Sequence, residues 1–233
     1  MSKKFFITGS SSTIGKKFIG MLPGDSKIYC PSKKELDMKN LKKLKQLKSK
    51  ILSHDIFILL HSVIIPKKHI SKKENEIVDQ LKINLLSILE ISEMALTFNK
   101  KARIFILGSE SGKKGSFDII YGLSKTAIHQ YIRERRILYP SQQIVGVSPS
   151  TIIDGRITLK RKDKNNVKKS ILKNPKKRGI QSFEISKLLY SLIYHNTDYI
   201  SNTVIDVDGG KFARMWLLIN SQQWNKKGIK NYF

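Results

Sequence analysis

The sequence predicts a single α/β domain in which a doubly wound parallel sheet is flanked by helices. Three observations predict this fold. Short apolar runs alternate along the chain with longer segments of helical periodicity, which is the pattern of βαβ units. The first apolar run breaks into a turn of small residues that is followed directly by a helical pattern. The length of 233 residues, 40% of them hydrophobic, suits one domain with a substantial core.

The elements follow from these patterns in chain order. The predicted strands are 4–7, 27–30, 55–60, 103–107, 143–147 and 203–207, and the predicted helices are 14–21, 40–51, 74–98, 121–138 and 183–195. In the second helix, apolar residues recur at intervals of three and four while lysines fill the other face, as in an amphipathic helix on a sheet: Leu41, Leu44, Leu47, Ile51 and Leu52.

The turn after the first strand has the features of a dinucleotide site. Residues 8–15 read Thr-Gly-Ser-Ser-Ser-Thr-Ile-Gly between an apolar strand and a helix. Gly9 permits a tight turn and close approach of the backbone to a pyrophosphate, and Gly15 lets the helix pack near the sheet. The candidate contacts are Gly9, Ser11, Ser12, Thr13, Ile14 and Gly15. The alternative is an ordinary turn rich in N-capping Ser and Thr.

Tyr121 and Lys125 form a candidate proton-transfer pair, because residues four apart lie on the same face of a helix. An ammonium group beside a phenol favours the phenolate and lowers the pKa of the phenol from its usual value near 10. Such a Tyr can hand a proton to a carbonyl oxygen or take one from an alcohol. A solvated helix face is the alternative interpretation, since this spacing is common.

The two motifs and their order along the chain resemble the short-chain dehydrogenase/reductase family. Residues 8–15 match the family's Thr-Gly-x-x-x-Gly-Ile-Gly except at Thr13, and Tyr121 and Lys125 match its Tyr-x-x-x-Lys. Further similar segments are Lys82-Ile83-Asn84-Leu85, the strand leading to Ser109, residues 145–149 and the closing Asp-Gly-Gly of 204–210. The resemblance covers about residues 3–212. It implies a Rossmann-type fold and an NAD(P)(H)-dependent oxidoreductase that interconverts a carbonyl and an alcohol.

The resemblance also assigns catalytic roles to four residues. Tyr121 would be the general acid in reduction and the base in oxidation, and Lys125 would lower its pKa and hold the nicotinamide ribose. Ser109 would hydrogen-bond the substrate oxygen, with Ser111 as an alternative, and Asn84 would hold a water that links Lys125 to solvent. By position in the family, the further cofactor contacts are His61, Ser62, Pro149 and Ile152, together with Tyr121 and Lys125.

The connection after the second strand is shorter than in most of the family. Only Pro31-Ser32-Lys33-Lys34 precedes Glu35-Leu36-Asp37, so a helix is expected to be deleted there. Asp37, followed by Met38, is then the candidate contact for the adenine amino group, with a helix N-cap as the alternative. No acidic residue occurs at 29–33 to bind the ribose 2′-hydroxyl. Ser32, Lys33 and Lys34 instead suit a 2′-phosphate, which favours NADP over NAD.

Two departures from the family pattern favour a different function, a catalytically weak or inactive dinucleotide-binding scaffold of the same fold. Thr13 replaces a glycine, and Leu59-Leu60-His61-Ser62 replaces the usual Asn-Asn-Ala-Gly. His61 is a candidate base by residue type, but the family uses no His at this position. The complete set of four catalytic residues favours the enzyme, because a scaffold does not need all of them.

The composition limits the other function classes. The formal net charge of +26 comes almost entirely from Lys spread along the chain with few Arg, which indicates compositional bias and argues against a nucleic-acid partner. The single cysteine, Cys30, leaves no intramolecular disulfide, and no metal site is predicted. Without a long apolar run or room for a signal peptide before the first strand, the expectation is a cytoplasmic protein with no membrane span.

The remaining expectations concern the substrate and the C-terminus. The family places its substrate lid at about residues 150–180, and the basic stretch 156–178 within it suits an anionic substrate: a nucleotide-sugar, a phosphorylated polyol or an acyl group on an acidic carrier. The catalytic domain is expected to span 1–212. The extension 213–233 carries aromatic and apolar residues that are expected to pack over the active site or against another subunit of a homodimer or homotetramer.

Overall fold

The computed structural model describes residues 2–65, 71–161, 164–195 and 197–212. These residues form one six-stranded sheet in which all neighbouring strands are parallel, in the order β2-β1-β3-β4-β5-β6. The strands are β1 (Lys4–Thr8), β2 (Lys27–Tyr29), β3 (Ile56–Leu59), β4 (Arg103–Leu107), β5 (Gln143–Pro149) and β6 (Thr203–Val207). All six predicted strands are confirmed, and β5 continues two residues further than predicted.

Helices alternate with the strands. They are α1 (Thr13–Ile19), α2 (Leu41–Gln46), α3 (Lys48–Leu52), α4 (Glu74–Leu81), α5 (Ser87–Phe98), α6 (Ser111–Lys114), α7 (Ile119–Glu134), α8 (Arg156–Leu159), α9 (Lys164–Leu172) and α10 (Ser182–Tyr194). The predicted helix 40–51 is divided into α2 and α3, and the predicted helix 74–98 is interrupted by a π-helical turn at Lys82–Leu86. Helices α6, α8 and α9 are not among the predicted elements, and the last two lie in the basic stretch 156–178.

Successive strand residues point to opposite faces of the sheet, and each face carries its own apolar core. On one face, Phe6, Phe57 and Ile104 pack against α2, α3, α5 and α7. On the other, Phe5 and Ile58 pack against α1 and α10. The strands β3 and β5 are buried along their whole length, as expected for parallel strands covered on both faces. The predicted doubly wound fold is confirmed.

The strand order reverses between β1 and β3, because the chain first builds outward to β2 and then returns to the other side of β1. In open sheets of this kind, a crevice forms at such a switch point, outside the carboxyl ends of the strands. The loops that follow β1, β3, β4 and β5 therefore converge at one edge of the sheet.

The short connection after β2 is also as predicted. Between Tyr29 and Leu41 the chain forms turns without helix or strand, and β2 is the outermost strand on that side of the sheet. The Leu36 amide donates to the Ser32 carbonyl at 2.9 Å, and the Leu36 side chain is buried in the core beneath α2 and α3. The buried Leu36 side chain thus anchors this connection, which contains no helix.

Candidate active site

A cleft of about 590 Å³ opens at the switch point, at the carboxyl ends of the strands. Its walls come from the loops after β1, β3, β4 and β5, one face of α7, and the segment around α8. The cleft brings together twelve of the predicted site residues: Gly9, Ser11, Ser12, Thr13, Ile14, His61, Ser62, Ser109, Tyr121, Lys125, Pro149 and Ile152.

The turn after β1 requires both of its glycines. Gly9 has φ +68°, and a Cβ there would lie 2.9 Å from the backbone N of His61 and the carbonyl carbon of Leu60. A Cβ on Gly15 would lie 2.7 Å from the carbonyl oxygen of Gly9. Ser12 caps α1 by accepting a hydrogen bond from the Gly15 amide at 3.0 Å, so the N-capping interpretation is confirmed for Ser12, and dinucleotide binding by this turn stays a prediction. Gly15 packs the start of α1 against the turn, and it lies behind the cleft wall.

Tyr121 and Lys125 lie on the inner face of α7, as their spacing predicts. Tyr121 is 7% exposed and Lys125 is fully buried. The Lys125 Nζ donates to the carbonyl oxygen of Leu107 at 2.8 Å and lies 5.6 Å from the centroid of the Tyr121 ring. Burial lowers the pKa of Lys125 to about 8, because an ammonium group is poorly solvated there.

The prediction that Lys125 lowers the pKa of Tyr121 is wrong for this structure, in which the pKa of Tyr121 is raised. Burial raises the pKa of the phenol, hydrogen bonds with the hydroxyls of Ser109 and Ser62 act in the opposite direction, and the net shift is upward. Lys125 does not offset the effect of burial, because its ammonium group lies over the ring and is directed at the Leu107 carbonyl. In this state Tyr121 is a protonated phenol, the form that serves as a general acid.

Ser109 occupies the loop between β4 and α6. Its hydroxyl accepts a hydrogen bond from the Ser111 amide at 3.1 Å and interacts with the phenol of Tyr121. Both serines line the cleft, but Ser109 is the one paired with Tyr121. Ser109, rather than Ser111, is therefore the serine beside the Tyr121 hydroxyl.

Asn84 lies in the π-helical turn between α4 and α5 and is fully buried behind the cleft. Its Oδ1 accepts from the amide of Val63 at 2.8 Å and the hydroxyl of Ser62 at 3.2 Å, while its Nδ2 donates to the Val63 carbonyl at 2.8 Å. The Asn84 side-chain amide thus forms hydrogen bonds with both the backbone N–H and the backbone carbonyl of Val63 in the loop after β3. π-Turns frequently mark functional positions. The water-holding role of Asn84 stays a prediction.

His61 has no free ring nitrogen to act as a base. Nδ1 lies 2.6 Å from the Thr8 hydroxyl and Nε2 lies 2.9 Å from the Ser87 hydroxyl, which itself donates to the carbonyl of Ile83. Burial, followed by the charge of Lys125, lowers the pKa of His61 to about 3, so the ring is neutral. The side chain ties the ends of β1 and β3 to α5, and its backbone contributes to the cleft.

The four predicted contacts for the adenine end, Ser32, Lys33, Asp37 and Met38, lie outside the walls of this cleft. Asp37 accepts from the Lys39 amide at 3.0 Å, whereas the N-cap of α2 is Asn40. Glu35 is not among the predicted site residues, and its carboxylate accepts from the Ser32 amide at 2.9 Å. Its backbone amide in turn donates to the Ser32 hydroxyl at 3.3 Å. An acidic group is therefore present beside the end of β2.

A buried ionic network that was not predicted lies at the start of α7. Asp118, the N-cap of α7, accepts from the Tyr121 amide and forms an ion pair with Lys72 at 2.5 Å. Gln80 bridges both partners, and the Ile65 amide donates to the same carboxylate at 3.0 Å. Burial opposes ionisation of Asp118, but these hydrogen bonds outweigh it and lower its pKa. The network fixes the start of α7 against the loop after β3.

His129 is a further residue that sequence analysis missed. It lies four residues after Lys125, on the same buried face of α7, and is 3% exposed. Its Nε2 accepts a hydrogen bond from the Ser109 amide at 3.4 Å. The spacing of Tyr121, Lys125 and His129 along one helical face was a signal that could have identified it.

Comparison with known proteins supports the fold. No protein-family model matches the sequence, and no curated protein matches it. Solved structures match most of the chain. The fold is that of the short-chain dehydrogenases/reductases. One similar structure is a short-chain dehydrogenase family protein from Francisella tularensis, with 20% identity and a TM-score of 0.76 over 92% of this chain and 100% of that one.

Two further similar structures are enzymes by their descriptions. A 3-oxoacyl (acyl-carrier-protein) reductase from Agrobacterium tumefaciens with NADP bound has 17% identity and a TM-score of 0.72, covering 89% of this chain and 93% of its own. A putative NAD(P)-dependent gluconate 5-dehydrogenase from Beutenbergia cavernae with bound NADP has 15% identity and a TM-score of 0.78, covering 91% and 97%. At these identities the likeness establishes the fold.

Two other expectations concern absences. Among the described residues, no group of His, Cys, Asp and Glu side chains is arranged to hold a metal ion. Over the same ranges, no helix combines the length and apolar character needed to cross a bilayer.

We predict that Lys72→Met destabilises the protein by about 3–5 kcal/mol, because it leaves the Asp118 carboxylate buried without its ion partner. The exposed pair of Lys39 and Asp79 offers a matched control, and Lys39→Met should cost less than about 1 kcal/mol. Urea unfolding measures both changes.

The stability that Asp118 provides is lost at low pH. The folded-state pKa of Asp118 is depressed, so its contribution to the free energy of unfolding is complete above the usual Asp pKa of about 3.9. That contribution is lost as the pH falls through the folded-state value. Equal destabilisation by Lys72→Met and Lys39→Met would contradict the assignment of the network.

Proposed function

We propose that this chain is a short-chain dehydrogenase/reductase that interconverts a carbonyl and an alcohol with NADP(H) or NAD(H). The observation that carries the proposal is the convergence of Ser109, Tyr121 and Lys125 on the cleft whose opposite wall is the turn after β1. A phenol, a neighbouring hydroxyl and a buried ammonium group are the groups needed to move one proton at a substrate oxygen.

The residues around the cleft suit a dinucleotide. In the turn after β1, Gly9 has φ +68° and no space for a Cβ, so the backbone itself can approach a bound pyrophosphate closely. Residues with hydroxyl side chains follow it along the cleft wall. Ser11, Ser12 and Thr13 would hold the pyrophosphate, Ser62 and Val63 would line the ribose, and the segment from Pro149 to Ile152 would contact the nicotinamide. When bound, the nicotinamide supplies or accepts the hydride.

The residues of the chain carry out the proton transfer. Tyr121 donates its proton to the substrate oxygen in reduction, and Ser109 donates a hydrogen bond to the same oxygen while negative charge develops there. Lys125, whose pKa burial lowers to about 8, stabilises the resulting phenolate and contacts the ribose when its ammonium group leaves the Leu107 carbonyl. Asn84 and Ser62 hold the loop after β3 against this group.

A second candidate function is a dinucleotide-binding scaffold with little activity. The raised pKa of Tyr121 and the contact between Lys125 and the Leu107 carbonyl are the observations that favour it, since neither prepares Tyr121 as a base. The two functions differ in turnover but share cofactor binding.

We predict that Tyr121→Phe lowers turnover by roughly two or more orders of magnitude, because it removes the transferable proton and keeps the ring. Cofactor affinity should change little. Tyr131→Phe is the matched control, because Tyr131 is also on α7 but its hydroxyl bonds to Glu93 at 2.7 Å. Oxidation of NADPH by a panel of carbonyl compounds, read at the nicotinamide absorbance, measures both. Near-normal turnover in Tyr121→Phe would remove Tyr121 from the mechanism.

We propose that the protein prefers NADP, because Lys33 and Lys34 follow the end of β2 and suit a 2′-phosphate. The Glu35 carboxylate in the same loop would instead disfavour a 2′-phosphate. Changing both lysines to Ala should weaken NADP binding much more than NAD binding, and the difference should shrink as salt screens the charges. Glu35→Gln should improve NADP binding by removing a carboxylate from the same corner. If Glu35→Gln instead weakens NAD binding and the lysine variant affects both dinucleotides equally, the chain prefers NAD. Fluorescence titration with NADPH and NADH measures these affinities.

An anionic substrate is the finer proposal, and the charges in the cleft support it. Among the described residues that line the cleft, four side chains are cationic, Lys114, Lys125, Arg156 and Arg161, and one is a carboxylate, Glu110. Glu110 is shared by Lys114 at 2.5 Å and Lys211 at 3.0 Å, so this corner beside Ser109 carries excess positive charge. We infer that the segment with α8 and α9 is the substrate lid, and that Lys114 receives the anionic group.

We predict that Lys114→Gln raises the KM of a carboxylate-bearing carbonyl substrate by roughly tenfold or more, as expected when a hydrogen bond to a charged group is lost. The methyl ester of the same compound should be unaffected. The adjacent Lys113 is the matched control, because its ammonium group pairs with Asp206 at 2.8 Å outside the cleft. Equal KM changes for acid and ester, or equal changes in Lys113→Gln, would argue against an anion site at Lys114.

Three expectations about assembly and domain extent stay predictions. The first is the packing of the extension 213–233, which lies outside the described residues. The others are a homodimer or homotetramer and a catalytic domain that ends near residue 212.

A further inference from the structure

The loop that carries Ser109 is held by an imidazole group to which the proposed chemistry gives no role. Five consecutive backbone amides, from Gly108 to Gly112, shape this loop. Four of them donate within the main chain or to the loop's own side chain: to Val147 O at 2.8 Å, Pro149 O at 3.0 Å, Ser109 Oγ at 3.1 Å and Ser109 O at 2.9 Å. The fifth, the amide of Ser109, donates to Nε2 of His129 at 3.4 Å.

The loop also closes sterically around the same ring. A Cβ on Gly108 would lie 2.5 Å from His129 Nε2, and a Cβ on Gly112 would lie 2.8 Å from His129 Cε1. Distances below 3.0 Å are closer than side chains tolerate, so both glycines are needed for the loop to lie against the imidazole. The ring is 3% exposed and fills the space between the carboxyl end of β4 and α7.

The imidazole ring of His129 must be neutral to accept the hydrogen bond from the Ser109 amide. A hydrogen bond accepted at Nε2 requires that Nε2 carry no proton, so the proton of the neutral ring is on Nδ1. Burial, followed by the charges of Lys125 and Arg133, lowers the pKa of His129 to about 4. Burial, reinforced by Lys125 one helical turn away on α7, therefore keeps His129 in the form that can accept a hydrogen bond from Ser109.

We propose that His129 is a positioning residue that fixes Ser109, and through it the Ser109 hydroxyl, relative to Tyr121. This inference rests on the proposed oxidoreductase function, because it gives Ser109 its role. His129 lies behind the loop and does not touch the substrate. Tyr121, Lys125 and His129 then form one functional face of α7, with the acid-base residue, its cationic partner and the support of the oxygen-binding serine at successive turns.

The test compares two replacements of His129. His129→Leu removes the acceptor while keeping an apolar side chain, and we expect kcat to fall by roughly 10- to 100-fold, the scale of loss when a reacting group is misplaced. The KM and Kd for the cofactor should be unchanged. His129→Gln places an amide oxygen near the position of Nε2 and should recover most of the lost kcat. Gln130→Leu, on the exposed face of the same helix, is the matched control and should have no effect.

A second comparison asks whether His129 acts through Ser109. In a Ser109→Ala background, His129→Leu should cause little further loss, because residues that act as one unit are not additive. Equal losses from His129→Leu with and without the Ser109 hydroxyl would overturn the proposal. So would a His129→Gln variant that is folded like the wild type but as slow as His129→Leu.

A measurement without turnover separates this inference from the proposed function. In long-range 1H–15N NMR spectra of the wild-type protein, Nε2 of His129 should have the shift of an unprotonated nitrogen between pH 5.5 and 8, with His129→Gln identifying the signal. A protonated Nε2 in that range would overturn the inference, even if the enzyme is active. The expected shift together with absent turnover in the wild type would instead contradict only the oxidoreductase function.

Discussion

The close approach of α7 to the carboxyl end of β4 is the constraint on which the candidate site depends. Lys125 is fully buried there, and its ammonium group is satisfied by the Leu107 carbonyl at 2.8 Å. The approach is possible because Gly108 and Gly112 leave room for His129. An unpaired buried ammonium group would be costly, so the helix, the strand end and the loop constrain one another. Tyr121 and Ser109 face each other because of this arrangement.

The second support of the site is the buried network around Asp118. It connects the first turn of α7 to the loop after β3, which Asn84 holds from the other side through the Val63 backbone. Satisfied buried networks of this kind rigidify their surroundings, whereas removal of one member leaves an uncompensated charge. Tyr121 is therefore positioned from both ends of its helix segment, by Asp118 before it and by the packing of His129 after it.

The sheet was predictable because its strands are short apolar runs whose burial on both faces leaves little ambiguity, as in β3 and β5. The faces of α7 and the glycine turn were predictable from spacing. The π-helical turn at Asn84 was not, because apolar residues recur at intervals of three and four on both sides of it, from Ile77 to Ile91, as in an uninterrupted helix. The network was not either, since Lys72 reaches Asp118 across 46 residues of sequence. The upward pKa shift of Tyr121 depends on where the Lys125 ammonium group points, which spacing alone does not determine.

We expect the crevice between the ends of β1 and β3 to bind a nicotinamide dinucleotide against α7. The most direct measurement is isothermal titration of the wild-type protein with NADPH and with NADH. Saturable binding at one site per chain is expected, and Gly9→Val should abolish it, since a side chain at φ +68° would meet the backbone of Leu60 and His61. Absence of saturable binding of either dinucleotide to the folded wild-type protein would contradict a dinucleotide site in this crevice.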